Sequence, residues 1–226
     1  DDVKINDLNY YRMQFNGKLL QGIMHIDDVM LQEQEAIADK GIITAGGIVD
    51  LRKKHYDVSL SAVKANPGIV AAFMTEPPAI TGEMDLDMYL NGTFADPTGK
   101  ANLVITNGSL SGVTLDKLVA NLTMGDDKIK LDDLEAIKDV YGFKAFGDIP
   151  LDLLRDKANR RNPKAQMNIE VDLSNARLAV LPAFTKMVEW GDGETHGKLT
   201  LAGTLEDPLV LIPFRFFSFV RIGMFL

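Results

Sequence analysis

Apolar and polar residues alternate along much of this chain, with the period of two that is typical of β-strands with one buried face. The runs "HYDVSLSAV" (55–63), "GEMDLDMYLNG" (82–92), "KLVANLTM" (117–124), "MNIEVDLS" (167–174) and "GKLTLAGTL" (197–205) all show it. Their alternate apolar residues are expected to share one face of a sheet. These residues are Val58, Leu60, Met84, Leu86, Met88, Leu90, Leu118, Leu122, Met124, Ile169, Val171, Leu173, Leu199 and Leu201.

Turn-forming residues separate these runs, as in "NPG" at 66–68 and "NG" at 107–108. The stretch "MGDDKI" (124–129) stands between two alternating runs and predicts a hairpin loop. The run "LDDLEAIKDVYG" (131–142) fits a helix or a strand. A strand is favoured because this run follows another strand directly.

Helical periodicity is scarce. Two short helices are predicted, at "PLDLLRDKANR" (150–160) and at "PAFTKMVEW" (182–190), because each has a proline at its expected start. The prediction is a mainly β chain with an elongated, strongly curled antiparallel sheet and these two helices.

One short unit occurs twice. "LNGTFADP" (90–97) and "LAGTLEDP" (201–208) share Leu, Gly, Thr, Asp and Pro at the same positions. Glycine also takes an apolar-face position four times, at Gly47, Gly92, Gly147 and Gly203. A glycine inside a strand usually marks a bend, a bulge or a close backbone approach, so this recurrence indicates a sheet that coils strongly. Proline after the unit ends the strand ladder.

Composition narrows the possible partners. The chain has 226 residues, 46% of them hydrophobic, and a formal net charge of −8. No run of Lys or Arg stands out, which argues against nucleic acid as a partner. There is no cysteine. The whole of 1–226 is interpreted as a single repetitive β-sheet region, and the start inside an apparent strand suggests a piece of a longer protein.

Residues that could carry catalysis are scattered. His25, His55 and His196 lack metal-ligand spacing, and no phosphate loop or nucleophile elbow is present. Glu83, Asp85 and Asp87 alternate with apolar residues, which is the spacing of a solvated strand face. We therefore expect neither an enzyme nor a cofactor or metal site.

The segment "LVLIPFRFFSFVRIGMFL" (209–226) is apolar apart from Arg215 and Arg221. Two arginines and Pro213 argue against a spanning helix. Contact with a membrane interface, an edge strand pair and a truncated reading frame are the alternatives for this tail.

Several segments resemble the repeats of the TamB family, within the wider AsmA-like group. They are "GKLTLAGTLEDPLV", "YLNGTFADPTGKANLVITNGSLSGVTLDKLVANLTMGDDKIKLDDLEA", "YGFKAFGDIPLDLL" and "MNIEVDLSNARLAVLPAFTKMVEWGDGETHGKLTLAGTLEDP". The similarity spans roughly residues 1–210, and the tail departs from it.

This resemblance implies a sheet curled into an open hydrophobic trough, located in the periplasm or cell envelope of a diderm bacterium, with a membrane anchor outside this fragment. It also implies a role in phospholipid transport between the inner and outer membranes or in outer-membrane protein assembly. The implied partners are phospholipid acyl chains and an outer-membrane assembly barrel. The fourteen apolar residues named above are the candidate lining of the lipid groove.

Two other functions stay open. The chain could be a structural or adhesive β-solenoid or sandwich whose apolar faces close on each other and bind no lipid. An enzyme that acts on glycans is a more distant alternative. Met84, Met88 and Met124 fit either of the first two hypotheses, because methionine adapts to acyl chains and also fills ordinary cores.

Overall fold

The computed structural model describes residues 3–5, 8–33, 41–71, 79–110, 112–139, 141–154, 161–162, 164–177, 188–192, 194–204, 207–211 and 221–224. Within these residues almost all regular structure is β. The strands are β1 (Val3–Ile5), β2 (Leu8–Tyr10), β3 (Arg12–Leu20), β4 (Ile23–Gln32), β5 (Ile42–Asp50), β6 (His55–Ala65), β7 (Ile80–Thr93), β8 (Pro97–Leu110), β9 (Val113–Gly125), β10 (Lys128–Lys138), β11 (Tyr141–Pro150), β12 (Gln166–Arg177), β13 (Val188–Asp192), β14 (Glu194–Thr204), β15 (Pro208–Leu211) and β16 (Arg221–Met224).

Twelve strands form one open sheet in the order β15-β14-β12-β11-β10-β9-β8-β7-β6-β5-β4-β3, with every neighbouring pair antiparallel. Within this sheet, strands that are consecutive in sequence are adjacent, except that β13, between β12 and β14, pairs with β16 in a separate two-stranded sheet. The strands β1 and β2 form another two-stranded sheet. The prediction of a mainly β chain with an antiparallel sheet is confirmed. The run 131–142, favoured as a strand, lies in β10 and the start of β11.

The two predicted helices are not confirmed. Leu151–Leu154 forms one turn of 3-10 helix, and 155–160 lie outside the described residues. Residues 188–190 belong to β13, and 182–187 are likewise outside. A four-residue helix, α1 (Gly68–Ala71), begins at the glycine of the "NPG" turn and was not predicted. At 188–190, pairing of β13 with β16 determines the backbone in place of the predicted helix.

The hairpin predicted at "MGDDKI" is confirmed. Gly125 pairs with Lys128, so Asp126 and Asp127 form a two-residue turn. Their φ angles of 52° and 55° are those required by the tight turns that match strand twist. The turn predicted at "NG" (107–108) was wrong, because both residues lie inside β8. Asn107 has a φ of 50° and stands at a bulge between β8 and its neighbours.

All four apolar-face glycines have a positive φ, between 89° and 146°. At Gly47 an added Cβ would overlap the carbonyl oxygen of Asp57, and at Gly147 that of Asn168. Both glycines also lie opposite a bulge in the preceding strand, between Ile26 and Val29 in β4 and between Leu131 and Leu134 in β10. Of the three features that such a glycine usually marks, both a bulge and a close backbone approach are present at Gly47 and Gly147.

The two copies of the Gly-Thr…Asp-Pro unit form the same turn. The Asp96 backbone N–H donates to Thr93 Oγ1 at 2.9 Å, and the Asp207 N–H donates to Thr204 Oγ1 at 3.0 Å. Both threonine N–H groups donate back to the aspartate carbonyl at 3.2 Å. Together with the matching bulges, this indicates that β4–β8 and the set β10, β11, β12, β14 and β15 are two copies of one five-strand arrangement.

Candidate functional site: the apolar face of the sheet

The strand register places apolar residues of neighbouring strands in rows that run across one face of the sheet. One row takes a residue from each strand from β6 to β12, and all of its members are buried. We call it the buried row; it consists of Ala65, Met84, Ile105, Leu118, Ala136, Phe143 and Leu173. Met84, at 0% exposure, lies at its β7 position, so this end of the face is a packed core.

A parallel row nearer the other end of the same strands is only half-buried. This half-buried row crosses β6 to β11, and none of its members is fully buried. It consists of Val58, Leu90, Gly99, Met124, Ile129 and Ile149. Exposure of the apolar face therefore increases along the strands from one end of the sheet to the other.

The fourteen residues predicted to line a groove all lie on this one face, as the register requires. Five of them are buried in the core: Met84, Leu86, Leu118, Leu173 and Leu199. The other nine are half-buried: Val58, Leu60, Met88, Leu90, Leu122, Met124, Ile169, Val171 and Leu201. The nine are partly exposed, whereas the five are packed in the core. Whether any of them binds lipid stays a prediction.

Several residues of the apolar face were missed from the sequence, chiefly on β8 and β10. In β10, Asp132 and Asp133 stand together at the bulge and interrupt the alternation between Leu131 and Leu134. Apolar and polar residues do alternate on either side of this interruption, in "KIKL" and "LEAIK". The missed residues include Leu103, Ile105, Ile129, Leu131 and Leu134.

No charged side chain occupies a position of the two rows just defined, and the polar side chains of the same strands lie on the opposite face. There Asp87 Oδ1 accepts a hydrogen bond from Ser61 Oγ at 3.0 Å, and Lys144 pairs with Glu135 at 3.3 Å. The Asp85 carboxylate accepts the Lys64 N–H at 2.9 Å. The interpretation of Glu83, Asp85 and Asp87 as a solvated strand face is confirmed for Asp85 and Asp87, which are exposed, whereas Glu83 is half-buried.

Two tyrosines stand at opposite ends of the apolar face. Tyr10 is 1% exposed, and burial, with the nearby Glu33 charge, raises its pKa to about 12. Tyr56 lies at the half-buried end against Phe94, with ring centroids 5.4 Å apart. Burial, followed by the charge of Asp96, raises the pKa of Tyr56 above its ordinary value. Like an ordinary tyrosine, both phenols are neutral at physiological pH and add no charge to the face.

The polar face has a shallow concavity of its own, with a volume of about 450 Å³, over β4 to β8. Its floor consists of small residues such as Gly46 and Ser59, and its walls include Asp27, Tyr89 and Lys100. Within the described ranges, no group of three or more His, Asp and Glu side chains has a geometry that could hold a metal ion. In the same ranges, no helix is long and apolar enough to cross a membrane.

No protein-family model, curated protein or solved structure matches this chain. The interpretation of the apolar face therefore depends on its own geometry and on the resemblance of the sequence segments described above.

Proposed function

We propose that this chain binds the acyl chains of lipids along the half-buried end of its apolar face, and that it does so without catalysis. The observation that carries the proposal is the increase of exposure from the buried row to the half-buried row. A face that is packed at one end and accessible at the other combines a rigid support with an apolar surface. Such uncovered apolar surfaces usually mark binding sites.

The dimensions of this surface suit an acyl chain. Neighbouring strands lie about 4.8 Å apart, so the six strands of the half-buried row, from β6 to β11, extend over roughly 24 Å. A lipid tail spans about 15 Å, half the thickness of a bilayer core. One or more tails therefore fit across the strands. Each buried CH₂ contributes about 0.8 kcal/mol, so a tail can be held by apolar contact alone.

The repetition of the five-strand arrangement also supports this function. Repeated units with close backbone approaches at Gly47 and Gly147 extend the same apolar face from β4 to β15. A face lengthened in this way gains binding area without a new kind of site. This agrees with the TamB-like role in envelope lipid transport that the sequence segments suggest, in which a trough conducts lipid between two membranes of a diderm bacterium.

The alternative is a structural protein whose apolar faces close on each other. The buried row favours it at one end of the sheet, where Met84 and Leu173 are nearly inaccessible. The half-buried row favours the lipid-binding function at the other end. A decisive experiment therefore has to change the half-buried end only.

The experiment is mass spectrometry of lipids that co-purify with the protein from bacterial cells without detergent. Leu90→Gln and Leu201→Gln alter half-buried positions on β7 and β14. Phe146→Gln is the matched control, because Phe146 is 44% exposed on the polar face. We expect stoichiometric phospholipid with the wild type and the control, and a loss of affinity on the order of fivefold for each leucine variant. Folded wild-type protein without lipid would instead establish the closed structural alternative.

A further inference from the structure

Three turns lie side by side at the half-buried end of the sheet. They connect β3 to β4 (residues 21–22), β5 to β6 (51–54) and β7 to β8 (94–96). The Leu51 N–H donates to the Gly22 carbonyl oxygen at 2.9 Å, and the Phe94 N–H donates to the Lys54 carbonyl oxygen at 3.2 Å. The turns therefore form one continuous edge. We call residues 18–22, 51–54 and 94–96 the basic rim.

The middle turn carries three consecutive basic residues, Arg52, Lys53 and Lys54, and all are exposed. The Asp50 carboxylate accepts the N–H groups of Arg52 and Lys53, each at 3.0 Å, which fixes the turn. Arg52 Nε lies 3.7 Å from the same carboxylate, and the arginine side chain is still 56% exposed. The acidic groups of this region are Asp50 and Asp96, so with Lys18 the basic residues exceed the acidic ones, although the chain as a whole carries −8.

Large apolar side chains project from the same rim. Leu19 is 61% exposed, Leu51 is 51% exposed and Phe94 is 60% exposed. Leu20, at the end of β3, is also exposed. Four exposed apolar side chains next to four basic ones form the combination found where proteins rest on a membrane surface, with apolar groups among the lipids and cations near the phosphates.

We infer that the basic rim docks on the anionic surface of a phospholipid bilayer. Arg52, Lys53 and Lys54 contact lipid phosphates, while Leu51 and Phe94 enter the headgroup layer. Nucleic acid would use the same cations but would leave these apolar side chains in water. This contact with the bilayer goes beyond the proposed function. A role of the rim in loading lipid rests on the proposed function, because the rim borders the end of the apolar face where acyl chains would enter.

The charge distribution also defines which part of the sheet approaches the bilayer. The β9–β10 turn lies at the same end but consists of Asp126 and Asp127, both exposed. Asp127 pairs with Arg161 at 3.7 Å and the adjacent Lys128 pairs with Asp148 at 3.2 Å, so this turn offers no excess of basic charge to lipid phosphates. The contact is therefore limited to the β3–β8 part of the sheet, where Phe94, in the turn next to the basic one, packs against Tyr56 on the apolar face.

The test is sedimentation with phosphatidylcholine vesicles, with and without phosphatidylglycerol, at low and high salt. The charge variant is R52Q/K53Q/K54Q, and the apolar variant is L51S/F94S. K117Q/K144Q/K198Q is the matched control, since it removes the same charge from exposed positions away from the rim. Circular dichroism and urea unfolding verify that each variant is folded.

We expect the wild type and the control to bind anionic vesicles, and to bind less as salt increases. Each basic residue near an anionic surface contributes roughly fivefold, so the charge variant should lose affinity on the order of 100-fold. The apolar variant should also bind more weakly. Equal binding to neutral and anionic vesicles, or equal losses in the charge variant and the control, would overturn the inference. The inference would also be overturned if the protein bound single-stranded DNA as tightly as it binds vesicles and L51S/F94S did not change its binding.

A monomeric fluorescent fatty acid in solution separates this inference from the proposed function. If the rim variants lose vesicle binding but retain the fatty acid, both stand. If the wild type binds vesicles but no fatty acid, the rim inference stands and the acyl-binding proposal fails. If the wild type binds the fatty acid but no anionic vesicles, the rim inference fails alone.

Discussion

Gly147 in β11 approaches the backbone of β12 so closely that the carbonyl oxygen of Asn168 occupies the space of a Cβ on Gly147. Gly147 also has a φ of 146°, a conformation that residues with side chains rarely adopt. Gly47 stands in the same relation to Asp57 on the neighbouring strand β6. These approaches recur in both copies of the five-strand arrangement and are part of how the sheet is built.

Replacement of Gly147 by alanine should therefore destabilise the protein strongly. We expect Gly147→Ala to lower the free energy of unfolding by at least about 2 kcal/mol, from the strained φ and the overlap with backbone. Gly125→Ala is the control, because the nearest atom to its added Cβ is Thr98 Cγ2 at 3.9 Å. Urea unfolding of both variants measures the difference, and equal stabilities would contradict this account of Gly147.

A charge at the packed end of the apolar face should prevent folding. Leu86 is 7% exposed, within the core cluster that includes Met84. We expect Leu86→Asp to cost more than about 4 kcal/mol, because a buried carboxylate has no partner there. Tyr89→Asp places the same charge on the polar face of β7, where Tyr89 is 47% exposed, and should fold normally. Circular dichroism distinguishes them; a folded Leu86→Asp protein would show that this end is accessible to water.

The buried hydroxyl of Tyr10 should limit stability. Within the part of the chain that the structure describes, it has no hydrogen-bond partner. Tyr10→Phe is expected to increase the free energy of unfolding by about 1 kcal/mol at neutral pH. Tyr89→Phe is the control, since the Tyr89 hydroxyl is exposed and accepts a hydrogen bond from Asn91 Nδ2 at 3.3 Å. A loss of stability in Tyr10→Phe would mean that the hydroxyl has a partner.

The same residue predicts a pH dependence. The pKa of Tyr10 is raised from 10.0 to about 12 in the fold, so the fold favours the neutral phenol. This contribution is complete below pH 10 and is lost as pH rises from 10 through 12. The stability difference between Tyr10→Phe and wild type should therefore widen over that interval. A constant difference in unfolding midpoint across it would contradict a raised pKa.

Asp50 should have the opposite pH dependence. The hydrogen bond from the Lys53 N–H, followed by that from Arg52 and the charges of both residues, lowers the pKa of Asp50 below its ordinary 3.8. Its stabilisation is present above pH 3.8 and is lost as pH falls through the lowered pKa. Asp50→Asn should therefore be less stable than wild type at pH 7, with a difference that shrinks in acid. Asp126→Asn is the control, because Asp126 is at an exposed turn position that suits asparagine. In urea unfolding, its stability should differ little from that of the wild type at either pH.

The sequence predicted which residues share a face, because strand alternation depends only on neighbouring residues. Val58, Leu90 and Leu201 lie on the expected side for that reason. It also predicted the hairpin at Asp126 and Asp127, where local turn chemistry decides the backbone. The recurrence of Gly47 and Gly147 indicated close backbone approach before any strand pairing was known.

Only the tertiary structure decided how far each of these residues is buried. Met84 and Leu90 follow the same alternation on β7, but Met84 is inaccessible and Leu90 is half-buried. The difference depends on contacts with residues distant in sequence, which alternation does not encode. For the same reason, pairing across three strands made "NG" at 107–108 a bulge, and hydrogen bonds between turns brought Leu51, Arg52 and Phe94 into one rim.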